Sequence, residues 1–168
     1  PVSSFDEISS IFYPKVVAVV GASNRPQRHG GTGFLVRLQR AGFPGAIYPI
    51  NPNAEEVRGL RAYSSLRDTP EPVDLAIVAV PAEAVPEVLE DCIAAGVKNV
   101  HLYTAGFTET GLDERRELER KIREVAVRRG LRIVGPNGMG PYCSASRLAA
   151  WGEPPEGVGP VGFISQSG

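Results

Sequence analysis

Cysteine, methionine, tryptophan and histidine are all scarce: two Cys, one Met, one Trp and two His in 168 residues. Cys92 and Cys143 have neither the spacing of a zinc site nor the number of a disulfide framework. Two free thiols fit a reducing, cytoplasmic compartment. No apolar run approaches the ~20 residues of a membrane span. The start, Pro1-Val2-Ser3-Ser4-Phe5-Asp6, lacks the basic and apolar regions of a secretory signal. Neither sign of charge dominates: 18 Lys and Arg against 19 Asp and Glu give −1, so no broad field favours nucleic acid or a membrane surface. Tyr13, Tyr48, Tyr63 and Trp151 have no basic patch beside them and read as packing residues rather than a base-stacking platform. Ser165 and Ser167 have no base placed by any motif, which leaves a hydrolase triad unsupported.

Glycine (19) and proline (15), by contrast, are abundant, and they fall between apolar runs, where they mark turns. Strand and helix signals alternate between these turns. Val16–Val20, Ala46–Ile50, 75–80, 100–103 and 131–134 read as strands. Phe34, Leu35, Leu38 and Ala41 recur at helical spacing before Gly42. Val85, Val88, Leu89, Cys92 and Ile93 form a second helical stripe ending at Gly96. Leu118, Ile122, Val125 and Ala126 form a third, acidic at its start, basic at its end and stopped by Gly130. Continuous apolar strands separated by helices predict an α/β domain, a doubly wound parallel sheet of Rossmann-like type. A chain of this length buries about 70% of its unfolded surface, enough for one core. The ligand is expected at the carboxyl ends of the strands, near the switch in strand order.

The first strand runs into Gly21-Ala22-Ser23-Asn24-Arg25, with Gly30, Gly31 and Gly33 after it. An apolar strand entering a small-residue turn and then a helix presents backbone N–H groups to a phosphate. Ser23 stands where a dinucleotide fingerprint has its second glycine. After the second strand comes Asn51-Pro52-Asn53, not the Asp or Glu that grips the ribose of NAD. A neutral amide does not repel phosphate, and Arg25 and Arg28 add positive charge beside the first turn. His29 in the same loop reads as a surface residue. These residues favour a ligand with more phosphate near its ribose than NAD carries, a description that NADP and coenzyme A both meet.

Four further segments complete a pattern: Val80-Pro81-Ala82, Tyr103-Thr104-Ala105-Gly106-Phe107, Gly135-Pro136-Asn137-Gly138-Met139-Gly140 and Ser165-Gln166-Ser167-Gly168. Together with Phe12-Tyr13-Pro14-Lys15 and the first turn, they make the chain resemble the CoA-binding domain of NDP-forming acyl-CoA synthetases. That group includes ADP-forming acetate–CoA ligases and the α subunit of succinyl-CoA ligase. The resemblance implies that coenzyme A is bound as a substrate. It further implies that the turn matching Ala22–Arg25 cradles its phosphates and that 50–53 lie near the adenosine phosphates. Val80, Pro81 and Ala82 then pack along the nucleotide or pantetheine, while Ala105, Gly106, Pro136 and Asn137 approach the pantetheine arm and thiol. ATP or ADP is expected only in other domains or subunits of the ligase.

The family usually has Cys where this chain has Gly138, which implies a roomier thiol end. The family's phosphorylated histidine belongs to a later domain. His101, between Val100 and Leu102, reads instead as a packed strand residue, and the chain supplies no catalytic group of its own. Residues 1–150 are expected to form the CoA-binding domain and 151–160 a linker. Residues 161–168 read as a strand and turn beginning a second, flavodoxin-like domain. The 161–164 strand is expected to be loosely attached or paired across a contact, including one with another copy of the chain. An NADP-dependent oxidoreductase and a CoA-sensing regulatory domain of a protein acetyltransferase are the alternative readings.

Overall fold

The computed structural model describes residues 5–24, 30–152 and 157–165. Five strands form one wholly parallel sheet: β1 (Val16–Val20), β2 (Ala46–Ile50), β5 (Leu75–Val78), β6 (Asn99–Leu102) and β7 (Arg132–Val134), in the order β2-β1-β5-β6-β7. The order reverses between β1 and β5, because the chain first winds outward to β2 and then returns past β1. That divergence opens the crevice in which doubly wound sheets take their ligands.

Side-chain alternation divides the core into two layers. Val16, Ala18 and Val20 of β1, Ala76 and Val78 of β5, and Val100 and Leu102 of β6 face one side. There they meet α3 (Val85–Ala94) through Val85, Leu89 and Cys92, and α4 (Asp113–Arg129) through Ile122 and Ala126. Val17, Val19, Leu75 and Ile77 face the other side, against Phe34, Leu35 and Leu38 of α2 (Gly31–Ala41). That second face carries one helix of the doubly wound pair, and a hairpin completes its cover. In this hairpin, β8 (Tyr142–Cys143) pairs with β9 (Leu148–Ala149) and buries Leu148 and Ala150. Arg147, at φ 57°, donates from its guanidinium to the Ala41 carbonyl and places its charge at the carboxyl end of α2.

A helix the sequence reading did not anticipate, α1 (Phe5–Phe12), lies at the amino-terminal edge of the sheet. Buried Asn99 holds it, donating to the Ser10 hydroxyl (3.0 Å) and the Asp74 carbonyl (3.0 Å) and accepting from Arg132 Nε (2.9 Å). The Asp74 carboxylate accepts from the Lys15 and Val16 N–H groups, fixing the entry into β1. A second short hairpin, β3 (Glu56–Val57) and β4 (Leu60–Arg61), turns on Arg58 and Gly59. Both are at positive φ (54° and 80°), as a two-residue type I′ turn requires.

Two expectations are corrected. β5 stops at Val78 rather than at residue 80: Ala79 N–H still reaches the Val20 carbonyl (3.0 Å), but the chain bends at Val80 ahead of Pro81, which has no N–H for a ladder. Residues 161–164 pair with no strand among the described residues, and Val161, Phe163 and Ile164 are exposed. Tyr13 and Trp151 are more than half exposed rather than packed, whereas Tyr48 and Tyr63 meet edge to face at 5.4 Å. No helix among the described residues is long and apolar enough to cross a membrane.

Gly21 sits at the strand-order reversal with φ +89°, and a Cβ there would lie 2.3 Å from the Ala79 carbonyl oxygen. Backbone cannot swing aside as a side chain can. Gly21→Ala is therefore expected to cost about 2–4 kcal/mol in urea denaturation, from steric overlap plus the strained φ. Gly96→Ala, at φ +77° with nothing within 4 Å of its Cβ, is expected to cost about 1 kcal/mol in the same assay.

Candidate functional site

The turns that follow the five parallel strands form one continuous rim. Asn51 Nδ2 donates to the Ala22 carbonyl (2.9 Å), joining the turns after β2 and β1. Gly21 lies against Ala79, joining those after β1 and β5. Thr104 Oγ1 donates to the Val80 carbonyl (2.9 Å) and Thr104 N–H to the Pro136 carbonyl (3.1 Å), tying the turn after β6 to both neighbours. Gly106 completes the line, since a Cβ there would touch the Ala82 methyl at 3.5 Å. The structure thus brings together Gly21, Ala22, Ser23, Asn24, Asn51, Pro52, Asn53, Val80, Pro81, Ala82, Ala105, Gly106, Pro136 and Asn137. Arg25, with Arg28 and His29, lies outside the described residues.

These residues are not equivalent. Ala22 and Ala82 are buried core side chains, so they shape the rim without presenting a surface to a ligand. Asn24 and Asn51 spend their amides on the protein. Asn24 donates to the Glu56 carbonyl (2.8 Å) and accepts from Arg58 N–H (3.1 Å), clamping the β3–β4 hairpin to the first turn. Asn51 accepts from Asn53 N–H (2.9 Å) while donating to Ala22. The exposed Asn137 side chain has no hydrogen-bond partner among the described residues, so it does not cap its own turn.

Two N–H groups of the first turn are held by the protein itself. Gly21 N–H is directed to the Ile50 carbonyl (3.3 Å) and Ser23 N–H to Thr32 Oγ1 (2.9 Å), while the Thr32 hydroxyl donates back to the Ser23 carbonyl (2.7 Å). Further N–H groups without a partner among the described residues lie at the start of the next helix. Gly30 precedes α2 without a side-chain cap, and the Gly31 and Thr32 N–H groups open the helix. An uncapped helix start is an anion site by dipole and geometry. Gly31 is glycine because a Cβ would lie 2.5 Å from Ala22 N, so only glycine lets α2 start against the turn. Ser23 Oγ is buried and unpaired among the described residues, a polar group that a phosphate oxygen would satisfy. The sequence signalled this helix start through Gly30, Gly31 and Gly33; the threonine staple carried no signal.

The turn after β6 is also self-satisfied. Glu109 accepts from Gly106 N–H (2.6 Å) and Phe107 N–H (3.1 Å), and Glu119 accepts from Thr108 N–H (3.1 Å). Burial alone would raise the Glu109 carboxyl, but these backbone donors outweigh it and hold the group below the usual carboxylate range. The Gly106 N–H is thereby taken by the protein itself, whereas no described residue bonds the Asn137 side-chain amide.

The Gly135–Gly140 loop folds back over β6, with Gly138 N–H on the Leu102 carbonyl (3.3 Å) and a cis peptide at Gly135–Pro136. His101, fully buried, lies beneath it. Burial lowers its pKa, an effect that the Gly138 carbonyl only partly offsets, so the ring is neutral near pH 7. Its Nε2–H donates to Gly138 O (2.7 Å), and Phe34 meets the ring edge to face at 5.3 Å. His101 is a packed residue supporting the loop, as the sequence reading has it. Cys92 is equally inert, its thiol pushed up to about 12, chiefly by burial.

The family model described as a CoA binding domain matches residues 15–143. The ADP-forming acetate–CoA ligase II of Archaeoglobus fulgidus is 44% identical over 134 residues, which are 80% of this chain and 20% of that protein. The α subunit of ADP-forming acetate–CoA ligase II from Pyrococcus furiosus is 43% identical over 157 residues, 94% of this chain and 34% of that one. A solved structure, the dinucleotide-forming acetyl-coenzyme A synthetase 1 of Ca. Korarchaeum cryptofilum in complex with phosphate and ADP, superposes with a TM-score of 0.80 at 40% identity. It covers 85% of this chain and 30% of that one. The chain thus spans between a fifth and a third of the length of these curated relatives.

The loop geometry yields three predictions. Glu109→Gln keeps one acceptor for two N–H donors and is expected to lower stability by about 1 kcal/mol at neutral pH. Because the folded-state pKa is depressed, the deficit is full above the ordinary carboxyl range and vanishes as pH falls through the folded value; urea midpoints measured against pH read this directly. Gly138→Cys meets nothing closer than Gly135 Cα at 3.5 Å and is expected to leave the melting temperature nearly unchanged. Gly140→Ala, at φ +97°, would put a methyl 2.3 Å from the His101 ring and is expected to cost about 2–4 kcal/mol.

Proposed function

We propose, for a chain that belongs to the CoA binding domain family, that it holds coenzyme A along this rim and presents the thiol to an acyl-transfer centre of an ADP-forming acid–thiol ligase. The continuous rim carries the proposal: one row of interlocked turns, from the β2 end to Asn137, suits a long ligand with phosphates at one end and an amide-bearing arm at the other. The diphosphate lies at the start of α2, where Gly31 and Thr32 N–H groups and Ser23 Oγ face it. Val80 and Pro81 form the wall along the middle of the ligand. The pantetheine arm runs past Ala105, Gly106 and Pro136 to Asn137, with Gly138 leaving room at the thiol.

ATP, ADP and the phosphoryl-carrying group belong to other domains or subunits of the ligase, and the setting is cytoplasmic, where Cys92 and Cys143 stay reduced. The exposed apolar residues Val161, Phe163 and Ile164 would enter a sheet of such a further domain, with 151–160 as the connection.

Differential scanning fluorimetry of the 168-residue chain tests the binding step. Coenzyme A at about 100 times its Kd is expected to add about 2.7 kcal/mol, a rise of several degrees, with NAD and NADP giving none. No shift at millimolar coenzyme A, or a selective shift with NADP, overturns the reading.

A further inference from the structure

An open groove of about 480 Å³ lies beyond the carboxyl end of β2, walled on one side by Asn51, Pro52 and Asn53 and on the other by Arg61 and Tyr63. It is of a size that takes a nucleoside. In doubly wound folds the residue at this strand end meets the ribose: an acid selects free hydroxyls, and a nearby arginine accommodates a ribose phosphate. No acid stands at position 51. The arginine is Arg61, contributed by the β3–β4 hairpin rather than by the strand end.

Three observations hold Arg61 in readiness. Its guanidinium lies over the Tyr63 ring, 5.4 Å from the centroid, and it makes no ion pair among the described residues although Glu56 is opposite it in the hairpin register. Tyr63 is itself fixed, with N–H on the Pro49 carbonyl (3.0 Å), its carbonyl accepting from Asn51 N–H (2.9 Å), and its ring against Tyr48, whose hydroxyl donates to Glu71 (2.6 Å). Asn24 clamps the same hairpin to the first turn, so Arg61 keeps a set position relative to the phosphate end of the rim. Glu55 and Asp68 also line the groove, so it is no general anion sink. It suits a ligand that offers hydroxyls and an exocyclic amine to the carboxylates and a single phosphate to Arg61.

We infer that this groove takes the adenosine end of the ligand and that Arg61, stacked on Tyr63, recognises its ribose 3′-phosphate, making Arg61 the residue that discriminates coenzyme A from dephospho-coenzyme A. This rests on the coenzyme A reading above. Arg25, which follows Asn24 in the sequence, is the control, since its charge would act on the diphosphate common to both ligands.

Isothermal titration of the 168-residue chain with coenzyme A and dephospho-coenzyme A decides it. Wild type is expected to prefer coenzyme A about 10-fold, the worth of one charge-assisted phosphate contact. Arg61→Ala should lose that factor for coenzyme A and leave dephospho-coenzyme A within twofold. Arg61→Lys, which keeps the charge but not the planar stack, should retain part of the preference. Arg25→Ala should weaken both ligands alike. The inference falls if Arg61→Ala weakens both ligands equally, if the preference survives it, or if Arg25→Ala alone abolishes the preference. Binding of neither ligand by wild type would instead overturn the coenzyme A reading on which it rests.

Discussion

The close approach of Gly21 to the Ala79 carbonyl is the constraint on which the site depends. It occurs where the strand order reverses, and it brings two diverging turns to within van der Waals contact. A side chain at that position would force the tips of β1 and β5 apart. Because α2 starts directly behind the turn, the start of the helix would move with them, and so would its free N–H groups. Glycine at 21 and at 31 therefore fixes the distance between the helix dipole and the middle of the rim.

The rim itself is more self-contained than a row of open backbone donors. Thr32, Glu109, Glu119, Asn24 and Asn51 occupy groups that a simple strand–turn–helix picture would leave for a ligand. A loop whose polar groups are internally paired holds one shape before anything binds, so less ordering entropy opposes association. Among the described residues, the first N–H groups of α2, Ser23 Oγ and the Asn137 side chain stay unpaired, and they are spaced along the rim. This separates residues that build the site from residues that face a ligand, a division that residue type alone does not reveal.

The acidic and basic residues of α4 illustrate the opposite case. Arg116 with Asp113, Arg120 with Glu117 and Glu124, and Arg123 with Glu119 pair along an exposed face at helical spacing. Such pairs add little stability individually. One of the acids, Glu119, nevertheless reaches back to Thr108 N–H and ties the helix to the turn after β6. Arg115 pairs with Glu83 beside Ala82, linking α4 to the turn after β5. The charged helix thus anchors two of the five turns.

By itself the sequence determined the parallel α/β sheet, its strand and helix order, and the set of turns that gather at one edge. Each of these follows from local signals: continuous β-branched runs for strands buried on both faces, 3.6-residue stripes for the covering helices, and Gly or Pro where each must stop. It did not determine α1 or the two hairpins, whose segments are too short for a period to declare itself: α1 and the first hairpin form where Asn99 and Asn24 reach them from distant parts of the chain, and the second where its own Arg147 reaches the Ala41 carbonyl. Nor did it determine which donors stay free. Whether the N–H of Ser23 or Gly106 faces solvent or a side chain depends on Thr32 and Glu109 arriving within hydrogen-bond distance, a matter of three-dimensional packing. Arg61 shows the same limit: in sequence it is one arginine of many, and only the clamped hairpin sets it over Tyr63 at the mouth of the groove.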